Sequence, residues 1–147
     1  MAHKQTILVT GGTGFIGSHT VVELIEKGYD VVVLDNLVNS KVESLNRIER
    51  ITGTRPRFYQ ADILDRSALE QMFSEEKDIS CVIHFAGLKA VGESCEKPWE
   101  YYHNNISGSL VLFDVMRAHG VTDIIFSSSA TVYGDPEFVP ITEECPK

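Results

Sequence analysis

The stretch Thr6-Ile7-Leu8-Val9-Thr10-Gly11-Gly12-Thr13-Gly14-Phe15-Ile16-Gly17 decides the fold. Its first five residues are β-branched or apolar and stop at a glycine pair, which predicts a short buried strand. From Phe15 the apolar residues change to a helical period, with Ile16, Val21, Leu24 and Ile25 on one face and Gly28 placed to end the helix. Between the two lies a glycine-rich turn that carries a G-x-G-x-x-G pattern, with a strand before it, a helix after it and an acid at the end of the next strand. Glycine in such a turn allows positive φ and a close backbone approach. The helix start that follows offers free N–H groups and a positive dipole end, which suits a phosphate group. Gly17, one turn into the helix, lets that helix pack closely.

Outward from this stretch the same alternation repeats. Tyr29 to Leu34 reads as a second buried strand ending at Asp35, and Ser40 to Arg50 as a helix with Ser40 as its N-cap and Val42, Leu45, Ile48 and Ile51 on one face. Arg57 to Gln60 reads as a third strand, followed by a helix from Ser67 to Glu76 that buries Leu69, Met72 and Phe73. Cys81 to Phe85 reads as a fourth strand. A long helix is expected from Pro98 through Trp99, Tyr102, Ile106, Leu110, Phe113 and Met116 to Gly120, and Ile124 to Phe126 as a fifth strand. Apolar strands alternating with helices predict an α/β, Rossmann-like doubly wound parallel sheet in the order 3-2-1-4-5. After Ser129 the pattern fades into loop, including Asp135-Pro136-Glu137 and Glu143 to Lys147. A six-stranded dinucleotide fold needs a further helix and strand there. The expectation is one dinucleotide-binding domain over residues 1–147, incomplete at its C-terminal end.

Composition narrows the classes. The chain has 147 residues and a formal charge of −8, from 13 basic and 21 acidic side chains. A negative surface disfavours nucleic acid as a partner. Mean hydropathy is −0.05, and no apolar run reaches the roughly 18 residues of a membrane span. Met1 to Gln5 show no signal-peptide organisation. Three widely spaced cysteines, with no C-x-x-C pair, fit a reducing, cytoplasmic compartment. The five histidines lack metal-ligand spacing, so no metal site is expected.

Asp35 lies at the end of the second strand, where a carboxylate accepts the ribose hydroxyls of an adenosine and repels a 2′-phosphate. NAD is therefore expected in preference to NADP. Asp62 and Ile63 end the third strand, where an adenine edge would lie, though Asp62 serves equally well as a helix cap. His84 ends a buried strand and reads as a core histidine with satisfied nitrogens. Of Asn104 and Asn105, inside an apolar helix, one is expected to bond cofactor or loop backbone. Trp99, Tyr101 and Tyr102 read as packing.

Three further stretches carry a resemblance: Leu34-Asp35-Asn36-Leu37-Val38-Asn39-Ser40-Lys41, His84 to Ser94, and Phe126-Ser127-Ser128-Ser129-Ala130-Thr131-Val132-Tyr133-Gly134. With the glycine turn they resemble the UDP-glucose (UDP-galactose) 4-epimerase family of extended short-chain dehydrogenases. The resemblance runs from Thr6 to Gly134. It implies that Gly11, Gly14, Phe15, Ile16 and Gly17 bind the NAD pyrophosphate, and that Asp35, Asn36, Leu37, Val38, Asn39 and Ser40 hold the ribose region. It further implies Asp62 and Ile63 beside the adenine, and Phe85, Ala86, Gly87, Leu88, Lys89 and Asn104 along the nicotinamide half. Ser129 becomes a catalytic residue bonded to the sugar C4 oxygen. The implied reaction is reversible epimerisation of UDP-galactose and UDP-glucose at C4 through a 4-keto sugar, in a cytoplasmic homodimer.

The family's other catalytic pair, Tyr-x-x-x-Lys, does not occur: the tyrosines at 29, 59, 101, 102 and 133 are followed at +4 by Val33, Ile63, Asn105, Ile106 and Glu137. The 147 residues alone are accordingly expected to be inactive, with the substrate domain absent. Two alternatives stand. One is another NAD-dependent nucleotide-sugar epimerase or a dehydratase, whose Asp-Glu pair is replaced here by Ala130-Thr131. The other is a non-catalytic NAD-binding module.

Overall fold

The computed structural model describes residues 5–136 and 138–146, with Ala130 described by its backbone alone. The readings of Met1 to Lys4, Glu137 and Lys147 lie outside the described residues.

Five parallel strands form one sheet: β1 (Thr6–Thr10), β2 (Asp30–Asp35), β3 (Arg57–Gln60), β4 (Ile79–His84) and β5 (Asp123–Phe126), in the order β3-β2-β1-β4-β5. This is the order read from the sequence. Thr10 is in register with Leu34 on one side and His84 on the other, so the carboxyl ends of the three central strands share one edge.

The apolar strands divide their side chains by period two. Leu8, Val32, Leu34 and Val82 face a core shared with α3 (Arg66–Glu75) and α6 (Gly108–Ala118). Ile7, Val9, Val31, Val33 and Ile83 face the opposite core, closed by α1 (Phe15–Glu26) and α2 (Glu43–Thr52). Two buried faces explain why the strands read as continuous apolar runs.

Several local expectations change. Ile16 does not join the buried face of α1; it is 53% exposed, because it sits at the helix start beyond the edge of the sheet. Ser40 does not cap α2, whose N-cap is Val42. The helix begins only at Glu43, too far along the chain for Ser40 to be its N-cap, and the Ser40 hydroxyl donates to Asp35 Oδ1 at 2.9 Å. On α2, Leu45 and Ile48 are buried, but Val42 and Ile51 at its two ends are exposed. Asp65, not Asp62, caps α3 by accepting the Ala68 N–H at 3.1 Å.

The long helix is composite. A short α4 (Val91–Glu96), absent from the sequence reading, precedes α5 (Pro98–Tyr102). A π-helical turn (His103–Ser107) then leads into α6. Its buried side carries Tyr101, Gly108, Ser109, Leu112, Val115 and Met116, whereas Trp99, Tyr102, Ile106, Leu110 and Phe113 are exposed. A 3-10 turn (Ala130–Tyr133) follows β5, and the remaining described residues form turns and bends.

The glycine turn sets the spacing at the sheet edge. A Cβ on Gly17 would strike the Gly11 carbonyl oxygen and lie 2.8 Å from Gly12 Cα, both rigid backbone. Gly17→Ala should therefore cost about 3 kcal/mol in urea unfolding, as over-packing against fixed atoms does. Gly28 has φ +88 but open space around it, so Gly28→Ala should cost only about 1 kcal/mol from its left-handed backbone. The reverse order of the two losses would show that α1 does not sit on the turn as described.

Candidate functional site: a cleft at the strand ends

A cleft of about 380 Å³ opens at the carboxyl edge of the sheet, across the point where the chain order reverses between β1 and β4. Its floor is the glycine turn. Gly11 takes φ +68, and its N–H donates to the Leu34 carbonyl at 2.8 Å. A Cβ on Gly11 would lie 2.8 Å from Ala86 N, so the turn also touches the loop after β4. Gly14, by contrast, has an ordinary extended conformation as N-cap of α1.

No side chain caps α1 and no acid lies in its first turn. The N–H groups of Phe15, Ile16 and Gly17, at the cleft wall, therefore lack intrahelical acceptors. Such a start has the free donors and the dipole end that an anion needs.

Asp35 ties the β2 end to the turn. Its Oδ2 accepts the Thr13 N–H at 3.1 Å, and its Oδ1 accepts the Leu37 N–H and the Ser40 hydroxyl, both at 2.9 Å. Ser40 Oγ also lies 2.7 Å from Thr13 Oγ1. The Asp35 bond holds Leu37 at φ +62, a conformation rare for a bulky residue. A carboxylate has about four acceptor positions. Three are filled, and the fourth, on Oδ2, remains for a ligand hydroxyl.

Next to it, Asn36 Nδ2 donates to Asp62 Oδ2 at 2.8 Å while Asp62 Oδ1 accepts the Leu64 N–H. Asp62 thus joins the β2 and β3 ends. Ile63 lines the cleft, and it packs on Gly108, where a Cβ would come within 2.6 Å of Ile63 Cδ1.

At the β4 end, Phe85, Ala86, Gly87, Leu88, Lys89 and Asn104 line the cleft, together with Ala90 and Glu93. Lys89 is the one basic residue among the described lining residues. Tyr101 and Lys97 hold the Glu93 carboxyl below its ordinary range through hydrogen bonds.

Of the residues singled out from the sequence for the cofactor, Leu37 and Asp62 do not line the cleft. Ser129 lies apart from the cleft lining. It is exposed past β5, with Oγ accepting the Thr131 N–H at 3.1 Å and lying 2.6 Å from Thr131 Oγ1. Leu34, Ala61, Ala90 and Glu93 line the cleft without having been read as site residues. Ala61 and Ala90 carry no chemistry that a sequence reading could weigh. Thr13 is buried, and only its place inside the turn could have marked it.

Behind the β4 end runs a buried polar chain. Ala86 N–H donates to Thr10 Oγ1 at 3.3 Å, and Thr10 Oγ1 lies 2.6 Å from His84 Nδ1. His84 Nε2 lies 3.0 Å from Ser109 Oγ, which donates to the Asn105 carbonyl at 2.6 Å. Ser109 has one proton and spends it on a carbonyl, so it must accept from His84 Nε2–H. Nδ1 is then bare and accepts from the Thr10 hydroxyl. The chain is directional and assigns His84 one neutral tautomer. His84 is the satisfied core histidine expected from the sequence. Burial, helped by the charge of Lys89, lowers its pKa to about 4.

The class of molecule defined by this sheet order, crevice and glycine turn is a doubly wound dinucleotide-binding domain. Residues 7–147 match the model of the NAD dependent epimerase/dehydratase family, and the chain belongs to that family. A UDP-glucose 4-epimerase of Haemophilus influenzae is 62% identical over 141 residues, covering 96% of this chain and 41% of the relative. One from Schizosaccharomyces pombe is 57% identical over 149 residues, covering 99% and 42%. The crystal structure of the Bifidobacterium longum UDP-glucose 4-epimerase, in complex with NAD+ and UDP, superposes with a TM-score of 0.90 at 57% identity, over 96% of this chain and 42% of that one. The chain spans about two-fifths of the length of the curated relatives it matches.

The depressed His84 pKa has a stability consequence. Between pH 6.5 and about 4 the unfolded state takes up a proton that folded His84 refuses. Stability is therefore full above pH 6.5 and falls as pH drops to about 4, by about 3 kcal/mol from this group. Urea titrations at pH 7, 5.5 and 4.5 should show that loss, and His84→Gln should remove the part arising between pH 6.5 and 4.5. An equal loss in both proteins would place it elsewhere.

Proposed function

We propose that this chain is the cofactor-binding part of a UDP-glucose 4-epimerase, which interconverts UDP-galactose and UDP-glucose and holds NAD in the cleft. One observation carries the cofactor reading: the uncapped start of α1 and the Asp35 carboxylate share one crevice. The free N–H groups of Phe15, Ile16 and Gly17 suit a pyrophosphate. The open acceptor on Asp35 Oδ2 takes one ribose hydroxyl without displacing Thr13, Leu37 or Ser40. Ile63 and the Asn36–Asp62 pair form the adenine side, and residues 85–89 with Asn104 form the nicotinamide side. The glycine positions support this fit, since a Cβ at Gly11 or Gly17 would collapse the cradle.

When bound, NAD supplies a reversible hydride acceptor for the sugar C4. The chain's own residues bind and orient. Ser129, with its hydroxyl beside Thr131, is proposed to bond the C4 oxygen and help carry its proton. An unassisted serine hydroxyl is a poor base, and no Tyr-x-x-x-Lys occurs in the 147 residues. The proton acceptor and the grip on the UDP-sugar are therefore assigned to residues outside these 147. The similarity to UDP-glucose 4-epimerases supports that sugar pair as the substrate. Unpaired thiols at Cys81, Cys95 and Cys145 support a reducing, cytoplasmic setting.

Calorimetry should give much tighter binding of NAD than of NADP, because the 2′-phosphate would meet the Asp35 carboxylate and, among the described lining residues, the one basic side chain is Lys89 at the β4 end. A coupled assay should detect turnover of UDP-galactose by the full-length protein and none by the 147 residues alone. Equal affinity for the two cofactors would remove Asp35 from the ribose site. Turnover by the 147 residues would mean that another group among them is the base.

A second copy is the proposed partner. Trp99, Tyr102, Ile106, Leu110 and Phe113 recur every three or four residues along α5, the π turn and α6, and all five are exposed. An apolar stripe of that kind favours association. Sedimentation should report a dimer, and Leu110→Glu should shift it to monomer with the fold intact. A variant that remains dimeric would assign the contact to another face.

A further inference from the structure

The loop after β4 forms one wall of the cleft, yet it has left the sheet. Residues beyond His84 belong to no strand until α4 begins at Val91. Its backbone groups need other partners if the wall is to keep a fixed shape. Phe85 and Ala86 find theirs on Thr10, and Leu88 finds both of its partners on one side chain. Asn105 Oδ1 accepts the Leu88 N–H at 2.8 Å, and Asn105 Nδ2 donates to the Leu88 carbonyl at 2.9 Å. The amide thus stands in for a neighbouring strand. Oδ1 also accepts from Asn104 Nδ2 at 2.8 Å, which turns the Asn104 amide at the cleft wall. These bonds fix which end of the Asn105 amide is oxygen.

Asn105 is itself held. It lies in the π-helical turn, and its carbonyl accepts from Ser109, the last member of the chain through His84 and Thr10 back to the Ala86 N–H. The circuit begins at Ala86 and returns to Leu88, on the same loop. Every side-chain member is buried or half-buried. Among the described residues no buried side-chain polar atom is left without a partner. Gly87, between the two anchored residues, has Asn105 Oδ1 within 3.4 Å of where a Cβ would stand.

We propose that Asn105 is a positioning residue for the β4 end of the cleft. Through it, a closed circuit of hydrogen bonds with Ser109, His84 and Thr10 sets the backbone of residues 86–88 and the amide of Asn104 before any ligand binds. Asn105 does not line the cleft; it acts through Leu88 and Asn104. The ligand side of this assignment rests on the NAD reading above. A wall fixed in advance removes the fractional-population penalty on affinity, and a wall that is competent one tenth of the time weakens binding about tenfold.

The test uses the full-length protein with Asn105→Ala and, because that change also touches packing, Ser109→Ala. In the ligand-free protein, Asn105→Ala should speed amide exchange at Leu88 by about tenfold or more, with the β1 and β2 amides unchanged. Calorimetry should show NAD bound about tenfold more weakly and ADP, which lacks the nicotinamide half assigned to the β4 end, bound as in the wild type. Ser109→Ala should give the same pattern more weakly, and the 15N spectrum of His84 should lose its single Nε2–H tautomer. Unchanged Leu88 exchange in both variants would overturn the proposal. So would equal weakening of NAD and ADP, which marks a general loss of structure. If wild-type protein binds no NAD while Leu88 exchange still depends on Asn105, the cofactor reading falls and takes the ligand side of this assignment with it.

Discussion

Three pieces of backbone meet at the carboxyl edge of the sheet with no room for a side chain between them: the Gly11–Gly12 turn, the first turn of α1, and the Phe85–Ala86 link after β4. A Cβ at Gly11 would press on Ala86, and one at Gly17 on the Gly11 carbonyl. Steric exclusion of this kind is stiffer than any single hydrogen bond, because backbone has no rotamer to yield. It fixes how far α1 stands from the strand ends and keeps its free N–H groups over the floor of the cleft. It also sets the separation between the two walls, since β2 and β4 flank β1 at fixed register.

The two walls are then held by different physics. On the β2 side the anchors are two carboxyl groups: Asp35 draws Thr13, Leu37 and Ser40 onto one, and Asp62 draws Asn36 and Leu64 onto the other. Charge-assisted bonds are short and strong. They also hold Leu37 in a left-handed conformation that it would not adopt alone. On the β4 side the anchor is neutral. His84 is buried where a charge is costly, and its lowered pKa follows from that burial. Thr10 and Ser109 each have one proton to give, so the whole chain keeps one polarity.

Much of this was legible in the sequence, where local pattern and global fold agree. The β-branched runs, the glycine turn and the acid at the second strand end led to the correct strand order, because each strand is buried on both faces and reads as such. Ser40 misled, since a serine before a helical run is the usual cap signal. The carboxylate that claims it lies five residues back and is brought near only by the loop. Ile51, Trp99 and Tyr102 show another limit: period shows which residues share a face, but not whether that face meets the sheet or solvent. The π turn has no simple pattern in sequence, and the Asn104-Asn105 pair inside an apolar run was its only trace. Which amide would bond the loop could not be read, because the answer depends on helix phase to within one residue, about 100°.

That phase links the stripe to the site. One composite helix, α5 to α6, turns Asn105 and Ser109 toward the strand ends and Ile106 and Leu110 away from them, residues apart by one position each. A rotation of the helix by a single residue, about 100°, would carry the amide off Leu88 and bring apolar side chains to His84. Packing of Leu112, Val115 and Met116 against β4 and α3 opposes such a rotation from one end. At the other end the opposing contact is polar, the Asn105 amide on Leu88. A second copy seated on the exposed side of the same helix would press on the rotation from outside. Association across the stripe and order in the cleft wall are in that arrangement set by one rigid element, so a change at Leu110 reaches Leu88 only by turning the helix that carries both.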